Sequence, residues 1–436
     1  MENLSNNRNS LSDRDKKTIW HPYTPFLPET FPIPIVRGEK EFVFDEQGNK
    51  YFDAISSWWV NIHGHSHPYI AQKVYEQFCR LEHIMFAGYT HPKAIELAER
   101  LLEKLQHKYS KVFYSDNGST AVEVALKIAL QYWKNVNQNK IKIIAFEDAY
   151  HGDTFGSMSV SGRSLFNSAF EPLLFDVIHI PTPTKNQEEK SLKALHDAVK
   201  NKDIAAFIFE PLVLGAGGMI MYSKEILTEM ILLCKQHDVI CIADEVMTGF
   251  GRTGNFFATD VLSQKPDIIC LSKGITGGSM PLGATVIAEN IISGFISDNP
   301  ANTFYHGHSY TANPLACTAA CASLDLFAQN NVMENDVARI TNLISDKIQK
   351  LNDKNLKIRQ TGTIAAFEFI TTDKTSYTNK IKDKIRNHFL KHNIIVRPLG
   401  NILYIIPPYC TSDESIEKFF VVMEELINCD VELWNN

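Results

Sequence analysis

Lys273 and Asp244 are the residues of this chain whose types and settings point most directly to chemistry. Lys273 stands in Ile269-Cys-Leu-Ser-Lys-Gly274 at the end of one apolar run, and Asp244 in Cys241-Ile-Ala-Asp-Glu-Val246 at the end of another. A lysine amine can condense with an aldehyde, and a carboxylate can pair with a protonated ring nitrogen. Those are the two groups that make pyridoxal phosphate an electron sink. Taken singly, each has a plainer use: a strand-end aspartate caps a turn, and lysines commonly follow strands. Their joint placement points to an enzyme.

Other residues could serve the same chemistry. Asp116-Asn-Gly118-Ser119-Thr120 precedes a stripe of Val122, Ala125, Ile128, Ala129, Tyr132 and Trp133. Thr120 and Glu123 match a capping signature, which predicts a helix start with free amides facing outward at Gly118 and Ser119. Such a start can cradle a phosphate, although an ordinary capped helix is the commoner use. Tyr150, in Tyr150-His-Gly-Asp153, follows a predicted strand and could stack on a flat ring or simply pack in the core. Trp58 and Trp59 are expected to lie in a strand facing opposite ways, leaving one to line a pocket. Arg397, before Pro398, could clamp a carboxylate bidentately or sit on the surface. His63, His65 and His67 alternate, as do His306 and His308, in the manner of zinc ligands. Gly64 and Gly307 intervene and no cysteine or carboxylate set accompanies them, so no metal site is assigned.

The elements that must position these groups are legible as hydrophobic runs. Ile141 to Phe146, Ala205 to Glu210, Val239 to Val246, Asp267 to Ser272 and Leu282 to Ile287 alternate with helical patterns. Runs uncharged on both faces and separated by helices predict an α/β fold, a mostly parallel sheet covered on both sides. Ahead of it, two alternating runs between Ile35 and Ile55 flank Asp45-Glu-Gln-Gly48-Asn49 and predict a hairpin. Behind it, Ala316 to Leu351 reads as one long bridging helix. Strand-like Ile358 to Ile370, a hairpin of Ile394 to Arg397 with Leu403 to Ile406, and a last helix capped at Thr411 to Glu414 suggest a smaller α+β domain. The resulting division is an N-terminal segment 1–60 that joins the small domain, a large domain 61–325, and a C-terminal small domain 326–436.

A chain of 436 residues is too long for one core, in keeping with that division. The net charge of −7 supplies no basic surface for phosphodiester, so no nucleic-acid partner is expected. The eight cysteines form no Cys-x-x-Cys, and most lie in apolar runs, as reduced cytoplasmic thiols would. The polar stretch from Met1 to Arg14 lacks the apolar core of a secretory signal. Ala205 to Tyr222 is broken by Glu210, Pro211 and three glycines, so no membrane span is expected.

Several blocks carry a resemblance. Trp20-His-Pro-Tyr23-Thr, Ser56-Ser-Trp58-Trp59-Val-Asn-Ile-His-Gly-His, Asn117-Gly-Ser-Thr-Ala-Val-Glu, Tyr150-His-Gly-Asp153, Asp244-Glu-Val-Met-Thr-Gly-Phe-Gly-Arg-Thr-Gly and Leu271-Ser-Lys273-Gly resemble the class III pyridoxal-phosphate aminotransferases. The Trp-His-Pro-Tyr and Ser-Trp-Trp blocks are similar to the members of that family that serve biotin synthesis. The resemblance runs from about Thr18 to about Pro408.

It implies a fold-type I homodimer with active sites shared between subunits, pyridoxal 5'-phosphate as cofactor and small-molecule substrates. The expected reaction is ping-pong transamination of 8-amino-7-oxononanoate to 7,8-diaminononanoate, with S-adenosylmethionine or lysine as amino donor. Lys273 would hold the cofactor covalently, Asp244 its pyridine nitrogen, Gly118 and Ser119 its phosphate, and Tyr150 would cover its ring. His308 and Ser309 would reach the phosphate from the neighbouring subunit. Tyr23, Trp58, Tyr150, Lys273, Gly307 and Arg397 match substrate-binding positions, with Arg397 on the carboxylate. Tyr404 and Asp153 are further candidates, and Glu210 could pair with Arg397 when no carboxylate is bound. One block departs from the pattern. Gly307-His-Ser-Tyr310 stands where adenosylmethionine-using members usually carry Gly-Pro-Thr-Phe, and looks more like relatives that use lysine. The rival readings are another ω-aminotransferase acting on ornithine or 4-aminobutyrate, a zinc hydrolase, and a non-catalytic binding protein.

Overall fold

The computed structural model describes residues 10–26, 32–106, 108–351, 356–372 and 375–429. Strands β1 (Ile35–Glu39), β2 (Phe42–Asp45) and β3 (Lys50–Asp53) form an antiparallel meander near the start of the chain. The expected hairpin therefore has a further reversal, at Lys40, whose φ is +52°. Its other turn is tied by the Asp45 carboxylate, which accepts the amides of Gln47 and Asn49 at 3.0 and 2.8 Å.

The large sheet holds β4 (Tyr109–Ser115), β5 (Lys142–Phe146), β6 (Val177–Ile180) and β7 (Ile204–Phe209). After a two-residue ribbon, β8 (Val213–Leu214) with β9 (Ile220–Met221), come β10 (Ile240–Asp244), β11 (Ile268–Leu271) and β12 (Gly283–Ala288). The sheet order is β4-β12-β11-β10-β7-β5-β6. Only β12 runs against its neighbours, so β4 to β7, β10 and β11 all point the same way. Every residue of β7, Ile-Ala-Ala-Phe-Ile-Phe, is buried, as helices on both faces require. The five apolar runs read from the sequence are β5, β7, β10, β11 and β12. The edge strands β4, with Ser110 and Lys111, and β6, with His179, are too polar to stand out, because an edge position leaves part of the strand in water.

Beyond the sheet, two expectations fail. The predicted helix over Ala316 to Leu351 is two helices, Pro314–Gln329 and Ala338–Lys350, interrupted by Asn331 at φ +46° and a π turn over Met333–Val337. The predicted hairpin about Gly400 is not one either. Instead β15 (Ile394–Ile395) pairs in parallel with β3, while β16 (Ile402–Ile405) joins β13 (Leu356–Thr361) and β14 (Ile364–Phe369) in the order β13-β14-β16. The segment carrying Arg397 is thus strung between two sheets. The last helix, Asp413–Cys429, starts one residue later than expected, with Ser412 Oγ accepting the Ser415 amide at 3.2 Å. Its buried stripe of Ile416, Phe419, Phe420 and Met423 packs on Phe367 and Phe389. No helix among the described residues is long and apolar enough to cross a membrane.

Candidate active site

Open α/β sheets bind ligands where the parallel strands end. Here the chain leaving β4 delivers Gly118 and Ser119, that leaving β5 delivers Tyr150 and His151, and that leaving β7 delivers Glu210. Asp244 is the last residue of β10, and Lys273 follows β11. All of them line one cavity of about 770 Å³, together with Tyr23, Trp58 and Arg397. That volume suits a cofactor and a small substrate together.

Asp244 is 5% exposed, a costly place for a carboxylate without partners. His151 Nδ1 lies 2.7 Å from Oδ2, and the Val246 amide donates to Oδ1 at 3.1 Å. The His151 ring is fully buried, and its Nε2 has no partner among the described residues. Asp244 therefore holds the proton of Nδ1 and fixes the tautomer of the ring. Glu210 accepts the amides of Tyr150 and Gly215 at 3.0 and 2.9 Å. Burial raises its carboxyl to about 7; the His151 ring and those amides oppose the shift, and the Asp244 charge adds to it. The expected pairing of Glu210 with Arg397 is not formed, because both Glu210 oxygens are turned to the backbone.

The helix after β4 starts at Gly118, earlier than the Thr120–Glu123 signature predicts, and its cap is Asn117. Asn117 Oδ1 accepts the Thr120 amide at 2.9 Å and Thr120 Oγ1 accepts the Asn117 amide at 3.2 Å. The amides of Gly118 and Ser119 are left as orphan donors of the helix start. Glu123 works elsewhere: its Oε1 receives Thr154 Oγ1, the Gly156 amide and the Ser157 amide at 2.5, 2.7 and 3.1 Å. Ser119 Oγ accepts the Thr154 amide at 3.0 Å, so the loop carrying Tyr150 is laced to the helix start. Gly152, at φ +130°, lies so close to Ser119 that a side chain there would collide with it.

Lys273 Nζ sits 4.9 Å from the centre of the Trp59 ring. Desolvation holds its ammonium below the ordinary lysine range, against the pull of Asp244 and Glu210. The backbone there is left-handed, with φ +46°, in the short turn after β11.

Trp58 and Trp59 are not in a strand. Ser56, Ser57 and Trp59 have φ of +51°, +61° and +64°, a kinked turn that costs on the order of 1 kcal/mol per residue. Asp53 Oδ2 accepting the Ser57 amide at 2.6 Å and Ser56 Oγ donating to the Ile406 carbonyl at 2.8 Å hold it. The two indoles line the same cavity but differ in exposure. Trp59 is buried and donates to the Tyr404 hydroxyl at 3.0 Å, while Trp58 is 37% exposed on the cavity wall. Arg397 lies over the Trp58 ring, 4.6 Å from its centre. Tyr23 completes this side: its hydroxyl is 3.0 Å from that of Tyr150 and donates to the Asp153 carboxylate, and its ring meets Trp58 edge-on at 5.5 Å. Burial first, then the hydrogen bond to Asp153 for Tyr23 and to Tyr23 for Tyr150, hold both phenols well above their usual range.

Gly307, His308 and Ser309 do not line the cavity; they lie on the loop before the helix Pro314–Gln329. The alternating histidines do not converge. His63 Nε2 meets Ser323 Oγ at 2.9 Å, His65 Nε2 meets Asp53 at 2.8 Å, and His306 Nδ1 meets Lys127 at 3.0 Å. Among the described residues only His388, His392 and Glu425 bring three ligand atoms together, on surface helices outside the cavity. His151, Phe166 and Tyr377 line the cavity without having been singled out by type or spacing. Of these, His151 had a signal, its place beside Tyr150 at a strand end.

A fold of this kind with a lysine, an aspartate and a helix start at the strand ends defines a vitamin B6 enzyme. The model of the class III aminotransferases matches residues 27–427, and the chain belongs to that family. It is similar to the adenosylmethionine-8-amino-7-oxononanoate aminotransferase of Synechococcus elongatus, 43% identical over 418 residues that cover 94% of this chain and 98% of that one. Among solved structures it is similar to the enzyme of that name from Methanocaldococcus jannaschii, with a TM-score of 0.90, 35% identity and coverage of 95% and 98% of the two chains. An omega transaminase from Pseudomonas jessenii in complex with PMP superposes with a TM-score of 0.92 at 26% identity, covering 98% and 99%. The hydrolase and the non-catalytic readings are thereby set aside.

Proposed function

We propose that the chain transfers an amino group to 8-amino-7-oxononanoate, giving 7,8-diaminononanoate in biotin synthesis, with pyridoxal 5'-phosphate as cofactor. One observation carries the reading: Lys273, Asp244 and Arg397 line the same cavity in a chain matched nearly end to end by relatives named for this substrate. The donor set fits the cofactor, since the cavity offers an amine, a buried carboxylate, orphan helix amides and a flanking phenol ring.

When bound, the cofactor supplies an electron-accepting ring that stabilises negative charge on the carbon losing its proton. Lys273 would hold the cofactor through its amine, and its free Nζ would take a proton from the substrate and return it. Its desolvation enlarges the neutral, basic fraction at neutral pH. Asp244, steered by His151, keeps a negative charge for the ring nitrogen. The amides of Gly118 and Ser119 would hold the phosphate, and Tyr150 would flank the ring. Trp58, Tyr23 and Tyr150 give the acceptor an apolar wall, and Arg397 takes its carboxylate. Gly307, His308 and Ser309 of a second copy complete the site in a cytoplasmic homodimer. S-adenosylmethionine is the amino donor; lysine is the second reading, favoured by Gly307-His-Ser-Tyr310.

The test is to incubate the enzyme with the acceptor and each donor in turn and to follow diaminononanoate by mass spectrometry. Product with either donor is expected. Turnover of ornithine or 4-aminobutyrate without any diaminononanoate would move the chain to another ω-aminotransferase. Borohydride reduction is expected to leave a cofactor adduct on Lys273, and an unmodified Lys273 peptide would refute its role.

A further inference from the structure

Among the described residues, the two contacts that hold Arg397 are uncharged. Its guanidinium lies over the Trp58 ring, and Nη2 donates to the Tyr377 hydroxyl at 3.4 Å. Arginine has donors only, so the phenol oxygen must accept, and Tyr377 keeps its own hydroxyl hydrogen. Among the described residues no acceptor takes that hydrogen. Tyr377 lines the same cavity as Lys273. Its ring is fixed edge-on against Phe166, with centroids 4.8 Å apart and planes at 71°. The backbone behind it is also fixed, because the Ser376 carbonyl packs directly on Gly400, where φ is +62° and a side chain would collide.

We infer that Tyr377 is a second hydrogen-bond donor to the acceptor's carboxylate and completes, with Arg397, a two-residue seat for it. The inference deepens the acceptor reading above and rests on it. A carboxylate offers about four lone-pair sites, and a bidentate guanidinium fills two. A phenol hydrogen beside that fork fills a third, which an apolar wall would leave bare. Tyr377 also keeps the guanidinium directed without neutralising it, as an acidic partner would.

The experiment uses Tyr377→Phe holoenzyme, which keeps the ring and its contact with Phe166. KM and kcat are measured for 8-amino-7-oxononanoate and for its methyl ester, with the donor half-reaction followed separately by cofactor absorbance. KM for the acid is expected to rise about fivefold to tenfold, the loss of one hydrogen bond to a charged group. The ester's KM, kcat and the donor half-reaction are expected to stay within about twofold. An unchanged KM for the acid, or an equal rise for acid and ester, overturns the inference. Arg397→Ala is run alongside. If that variant leaves KM for the acid unchanged, the acceptor reading itself falls, whatever Tyr377→Phe does.

Discussion

Lys273, Asp244, Glu210, Tyr150 and Gly118 all come from the ends of parallel strands in one sheet, whereas Tyr23, Trp58, Tyr377 and Arg397 come from the two ends of the chain. The first group is set on a rigid, largely buried platform whose strand spacing fixes the separation of its members. In the second group, Arg397 reaches Trp58 because β15 pairs with β3 and brings the segment after Ile395 beside the Ser56–Trp59 kink, while Tyr23 is held there by Tyr150 and Asp153. The contrast separates two tasks. On the proposed roles, bond-making chemistry falls where the backbone is least able to shift, and recognition of a particular acceptor falls on connections between sheets, where sequence change is cheaper.

That division is open to attack, beginning with the platform. Lys273→Ala is expected to lower turnover by about a thousandfold or more with every donor and acceptor, measured by single-turnover kinetics; loss with one substrate only would break the division. Asp244→Asn should retain bound cofactor, seen by absorbance, and lose on the order of a hundredfold in both half-reactions. On the other wall, Arg397→Ala should raise KM for the carboxylate-bearing acceptor by roughly ten- to a hundredfold, a loss of about 1.5–3 kcal/mol, while the donor half-reaction keeps its rate. An equal loss in both half-reactions would merge the two walls into one.

The smallest expected effect concerns Glu245, which neighbours Asp244 but points away from the cavity. It is fully buried and accepts the amides of Ala258 and Thr259 at 2.9 and 2.8 Å, and burial raises its carboxyl to about 7 against those bonds. Because the folded form holds its proton to higher pH than the unfolded form, stability from this group falls as pH rises from about 4.5 to about 7. Glu245→Gln does not titrate, so its urea midpoint should gain on the parent's between about pH 5 and pH 8. A constant difference would show that Glu245 has no raised affinity for its proton.

The platform was legible because burial on both faces writes itself as unbroken apolar runs, and because Asp244 and Lys273 stand at the ends of two of them. Helix starts were placed less well. Thr120 and Glu123 have the right types for a cap, yet Asn117 reaches the Thr120 amide first and Glu123 is recruited by Thr154 and the amides of Gly156 and Ser157. The opposite wall was only partly visible. Trp58 was found through its type and for the wrong reason, since a kink at Ser56 and Ser57 turns it toward the cavity. Tyr377 carried no local sign, because its partner Arg397 is contributed by a different element. The hairpin expected about Gly400 failed for a related reason: β15 and β16 each have a partner distant in sequence, β3 and β14.

Arg397 hangs from two sheets at once, like the jaw of a caliper whose arms are β15 and β16. With Arg397 in its proposed place on the acceptor's carboxylate, the length of acyl chain that fits would be gauged by how those sheets sit against each other. A change in specificity can therefore arise from repacking either sheet, with every residue that touches the ligand left as it is.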